Sequence, residues 1–150
     1  MTAQTRPTLL NSCARAATAA EARFRIDRPI GGRSALIVAL DDDAADVVDR
    51  VAERPWGAAR FFRSPDDPRL AEQIPEADVA IMVGTADADG DAASAIARAC
   101  AERGIMTAGL ILGERGDVTA AVSALRPYAR NLMVSDDEDD VAAVLTALRA

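Results

Sequence analysis

Two short runs concentrate the residues of this chain that could do chemistry: Asp41, Asp42 and Asp43 in A-L-D-D-D-A-A, and Asp87, Asp89 and Asp91 in V-G-T-A-D-A-D-G-D-A-A. Carboxylate oxygens are the ligands that hard cations take, so either run suits Mg²⁺ or Ca²⁺. The spacing D-A-D-G-D is that of a calcium loop, but the downstream bidentate Glu that completes such a loop is missing. Acidic residues also gather at helix starts, where each complements the N-terminal dipole by about 0.3–1 kcal/mol. On the residues alone both readings stand.

Two absences narrow the chemistry further. The chain has no His, and its 17 basic residues are all Arg. Without imidazole there is no Ser–His or Cys–His nucleophile pair and no imidazole metal site. Without Lys there is no P-loop lysine and no Schiff base. Carboxylate, Arg, hydroxyl and thiol chemistry remain. Thr85, Thr107 and Ser135 are the hydroxyls expected near the strand ends, and none has a general base beside it in sequence; helix capping is their expected role. Cys100, in A-I-A-R-A-C-A-E-R, falls on an apolar helix face and reads as an inert core thiol. Cys13 and Cys100 are too few and too far apart for a disulfide framework.

The elements that must hold these residues follow from the hydrophobic pattern. A chain of 150 residues is the length of one domain, and with half its residues hydrophobic but only 3% aromatic, its core must be aliphatic. Residues 8–25 carry an amphipathic helical period that breaks at Pro29 and Gly31–Gly32, so 1–33 reads as a helix and linker. From Ser34 a short apolar run alternates with a helical period. Strands are expected over 34–40, 58–62, 77–84, 105–113 and 131–135. Helices are expected over 41–54, 69–74, 91–103, 117–130 and 136–150. The fold class this predicts is α/β over 34–150, a single-domain Rossmann-like three-layer sandwich. Its mostly parallel sheet of about five strands has helices on both faces, and the N-terminal helix is added to it. Ligand sites in such sheets lie at the carboxyl ends of the strands, where both aspartate runs fall.

The net charge of −7 and pI near 4.6 argue against nucleic acid, which demands a basic face. No run approaches the roughly 20 apolar residues of a membrane span, and the N-terminus lacks an apolar signal core. The expected address is the cytoplasm.

The stretch A-D-V-A-I-M-V-G-T-A-D-A-D-G-D-A-A-S-A-I-A-R-A-C-A-E-R-G-I-M-T-A-G-L-I-L resembles the tubulin/FtsZ GTPase family. There a strand leads into a glycine-rich loop, then a helix, then a G-I-L-T strand. A-A-D-V-V-D-R-V-A-E-R-P-W-G-A-A-R-F-F is similar to that family's first helix and second strand, and A-V-S-A-L-R-P-Y-A-R-N-L-M-V-S to a later helix and strand. Of the signature loop only Gly84, Thr85 and Gly90 are kept. Asp87, Asp89 and Asp91 stand where the resemblance would place phosphate-binding glycines, and Leu40-Asp41-Asp42-Asp43 replaces the first glycine-rich loop. Glycines there let backbone N–H groups wrap a phosphate, whereas carboxylates repel it. The resemblance therefore implies a degenerate nucleotide-binding domain.

A weaker resemblance is to receiver domains, carried by A-L-D-D-D at the first strand end. The third strand ends in Val83-Gly84 rather than a phosphoacceptor Asp, and no Lys follows the fifth. At most this would be a pseudo-receiver.

The function expected from these residues is a non-catalytic interaction or regulatory module, self-associating or binding a protein partner. The alternative is a Mg²⁺-dependent small-molecule or nucleotide binder. That binder would take its ligand with Gly84, Thr85, Asp87, Asp89, Gly90 and Asp91 and its metal with Asp41, Asp42 and Asp43. An enzyme working through the carboxylates and Thr85 comes third, because no pair of them can be given acid and base roles.

Overall fold

The computed structural model describes residues 32–150, which form one compact unit. The helix expected over 8–25 and Cys13 lie outside the described residues. Five strands, β1 (Ala35–Ala39), β2 (Ala59–Phe62), β3 (Val79–Gly84), β4 (Met106–Leu112) and β5 (Asn131–Ser135), form one sheet in the order β2-β1-β3-β4-β5. All four pairings are parallel, so the sheet expected to be mostly parallel is wholly so. The helices are α1 (Asp42–Ala52), α2 (Pro68–Gln73), α3 (Gly90–Ala101), α4 (Thr119–Leu125) and α5 (Asp139–Leu148).

Strands buried on both faces need apolar side chains, and β1 supplies them throughout and β3 from Val79 to Val83. Alternate residues then feed two cores. On one face Ile37, Ile81, Val83 and Leu110 meet Val47, Val48 and Val51 of α1 and Val141 and Leu145 of α5. On the other Leu36, Val38, Met82 and Ile111 meet Leu70 of α2, Ile96 and Cys100 of α3, and Leu125 of α4. These are the three layers the alternation predicts.

Each helix is bounded by recognisable chemistry. The buried positions of α1 recur at helical spacing, and beyond its last turn the Trp56 indole donates to the Val51 carbonyl at 2.8 Å. That carbonyl also accepts from the Arg54 amide at 3.1 Å, so the indole is a further donor at the helix C-terminus. Trp56 also leans on Phe61, ring centroids 6.5 Å apart. α3 ends where Gly104 takes φ +67° and the Ile105 amide reaches back to the Cys100 carbonyl at 3.0 Å.

Two helices are shorter than their periodicity suggests. The helix expected over 117–130 spans only Thr119–Leu125, because Pro127 has no amide to continue it and its ring crowds the preceding turn. The final helix begins at Asp139 rather than 136, since Ser135 and Asp137 hold a turn of their own: the Asp137 amide donates to Ser135 Oγ at 3.0 Å, and the Asp139 amide to Asp137 Oδ1 at 2.9 Å.

Candidate functional site

In this strand order β1 and β3 lie side by side while their connections leave to opposite faces, α1 to one and α3 to the other. The crevice at their carboxyl ends is the topological switch point, where doubly wound sheets bind ligands. Leu40-Asp41 enters it from β1 and Gly84-Thr85 from β3, so the tertiary fold brings the two aspartate runs to one place.

Asp41 sits in the middle of this crevice. It is extended, φ −150° and ψ 171°, and is the N-cap of α1, with Oδ1 accepting from the Ala44 amide at 2.8 Å. Its other oxygen, Oδ2, accepts from the Thr85 amide at 2.7 Å. One half-buried carboxylate thus joins the start of α1 to the loop after β3, using a helix N-terminal N–H and a loop N–H together. Backbone donors in this arrangement are those that hold a phosphate in nucleotide-binding α/β proteins. Here an internal anion takes both.

Asp42 and Asp43 occupy the first turn of α1 and are exposed. Asp89 is the N-cap of α3, its Oδ1 accepting from the amides of Asp91 at 2.9 Å and Ala92 at 3.3 Å. Asp87 and Asp91 point to solvent on either side of it. Among the described residues no three acidic or thiol side chains are gathered closely enough to hold a metal ion.

The retained glycines have packing reasons. A Cβ on Gly84 would fall 2.6 Å from Ala88 Cβ, because the loop folds back over the strand end. A Cβ on Gly90 would meet Ala124 Cβ at 3.3 Å, where α3 and α4 approach closely. Thr85 Oγ1 accepts from the Asp87 amide at 3.5 Å and so serves the turn.

The other hydroxyls divide. Thr107, expected near a strand end, lies at the opposite, amino end of β4, and its hydroxyl donates to the Tyr128 carbonyl at 2.9 Å. A strand of seven residues puts its first side chains some 20 Å from its last, so Thr107 has no part in the crevice. Ser135 is at the carboxyl end of β5, where its hydroxyl donates to Asp140 Oδ2. A shallow cavity of about 490 Å³ opens there, lined by Glu114, Arg115, Ser135, Asp136 and Asp140 among others. There Arg115 stands among carboxylates, Asp136 and Asp140, that are distant from it in sequence, so only spatial proximity reveals the site.

The buried Cys100 thiol is pushed above its ordinary pKa by burial, with Arg103 opposing the shift in part. It is neutral at physiological pH and faces the core rather than the crevice. No described helix is long and apolar enough to cross a membrane. No protein-family model and no curated protein matches the chain.

Proposed function

We propose that this chain is a non-catalytic, FtsZ-like α/β interaction or regulatory module in which the phosphate position at the switch point is filled by the protein's own carboxylate. The observation that carries the reading is Asp41, whose two oxygens take the Ala44 and Thr85 amides. A phosphate entering the crevice would have to displace a charge-assisted pair of hydrogen bonds. It would also meet Asp42, Asp43, Asp87, Asp89 and Asp91 with no Lys in the chain to offset them. The capping geometry of Asp41 and Asp89 accounts for both acidic runs as helix starts, which supports the module over a Mg²⁺-dependent binder.

Thermal unfolding of the whole chain with GTP, GDP or ATP, each with and without Mg²⁺, tests the proposal. A ligand at about one hundred times its dissociation constant adds about 2.7 kcal/mol, several degrees for a domain of this size. The expected result is no shift with any of them. A Mg²⁺-dependent shift that vanishes when Asp87, Asp89 and Asp91 are changed together to Asn would establish the binder instead.

A further inference from the structure

The two edges of the sheet are finished differently. β2 carries Arg60, whose guanidinium lies 3.7 Å from Glu76 and also bonds Gln73, and it is followed by Arg63, paired with Asp46 and Asp49. Charge on an edge strand is a common guard against the addition of another strand. β5 reads N-L-M-V-S and has neither charge nor proline. Met133 on it is 48% exposed, and Met106 on β4 is 39% exposed; they are the exposed large hydrophobic residues of the described unit. Register places Met133 beside Leu110, and Met106 shares that sheet face by the two-residue alternation.

Among the described residues no strand pairs with the outer side of β5. The Ser135 carbonyl accepts from the Gly113 amide at 2.8 Å. Alternation along the strand therefore turns the peptide groups of Asn131, Met133 and Ser135 toward β4, and those of Leu132 and Val134 toward the open edge.

The segment is self-complementary in reverse. Laid antiparallel on a second copy about a two-fold axis through Met133, Leu132 faces Val134, Asn131 faces Ser135, and Arg130 faces Asp136. Leu132 and Val134, whose groups point outward, become the hydrogen-bonded pairs. Met133 meets Met133 at a non-hydrogen-bonded position, where facing side chains come closest. Arg130 and Asp136 are exposed, and neither is in an ion pair among the described residues.

We propose that β5 is a self-association edge, through which two copies of this chain join antiparallel at Asn131–Ser135 into one continuous sheet. The interface is isologous, so each Arg130–Asp136 contact occurs twice. Because each copy carries a net charge of −7, these two cross-pairs fix register and oppose the general repulsion between copies. The proposal gives the interaction-module reading a partner, but it rests on the edge and its charges. A monomeric chain would overturn it without touching the nucleotide result, and a nucleotide shift would leave it standing.

Sedimentation equilibrium of the full chain over a range of concentrations, with Arg130→Asp, Asp136→Arg and their equimolar mixture, tests it. The wild type is expected to be dimeric, and each single variant to associate roughly tenfold more weakly or worse, because two attractive contacts become two repulsive ones. The mixture should recover a dimer, since each cross-pair in the heterodimer again joins one acid with one Arg. Circular dichroism should show each variant folded, because both positions are exposed. A wild type that stays monomeric, a dimer insensitive to both substitutions, or weakened variants that the mixture fails to rescue would each overturn the proposal.

Discussion

A single carboxylate bridges the start of α1 and the loop after β3. Replacing Asp41 with Ala leaves the Ala44 and Thr85 amides without their acceptor, and urea unfolding is expected to show a loss of about 1–3 kcal/mol. Asp42→Asn and Asp43→Asn, on the exposed first turn, should each fall within the dipole range of about 0.3–1 kcal/mol. Equal losses at all three positions would remove Asp41 from its special place. Gly84→Ala should also destabilise, by about 1–3 kcal/mol, since its Cβ would overlap Ala88, whereas Gly57→Ala, with open space around it, should not. Cys100 supplies a pH dependence. Its thiol pKa is raised in the fold by burial, so the folded chain holds that proton more tightly than the unfolded one. The stability it contributes is complete below the unfolded thiol pKa of about 8.5 and is lost as pH rises from there toward the higher folded value. Stability measured above about pH 8.5 should decline, and less steeply in Cys100→Ala.

Among elements, the acidic run after β3 acts through one member. Asp89 caps α3 with two bonds while Asp87 and Asp91 are exposed flanks. Asp89→Ala should cost about 0.5–2 kcal/mol in denaturant unfolding and Asp87→Ala less than about 0.5 kcal/mol. The junction from β4 to α4 depends on Gly113, which holds φ +142° with Val118 Cγ1 2.7 Å from where a Cβ would stand. Gly113→Ala should cost at least about 1 kcal/mol and loosen the end of β4 that carries the cavity wall. Helix α1 is tied to α5 by Arg50 with Glu138 at 2.7 Å and Arg54 with Asp139 at 2.9 Å. All four side chains are exposed, so these pairs orient the two helices more than they stabilise them.

For the whole molecule, two aliphatic cores on one parallel sheet make residues 32–150 one compact unit. Gly32 lies against the Arg149 carbonyl so closely that a Cβ would stand 2.2 Å from it, which brings both ends of the unit together. A chain of residues 32–150 alone should unfold in urea as one cooperative transition, with far-ultraviolet dichroism and tryptophan fluorescence superimposing. Non-coincident transitions would mean that residues before 32 complete the core.

The sequence by itself determined the class of fold, because strands buried on both faces must be continuously apolar and helices buried on one must repeat at 3.6 residues. Ala35–Ala39 and Val79–Gly84 satisfy the first condition, and α1 the second. It also determined what chemistry is impossible, through the absence of His and Lys. It did not reveal where each candidate stands. Thr107 looked like a strand-end hydroxyl because periodicity places a strand without saying which end a residue occupies relative to a site. Pro127 shortened a helix whose apolar period ran past it. The helix-capping half of the role of Asp41 is local, but its other half was decided by the tertiary structure alone: its bond to Thr85 spans 44 positions, and only the parallel pairing of β1 with β3 brings that amide within 2.7 Å of its carboxylate.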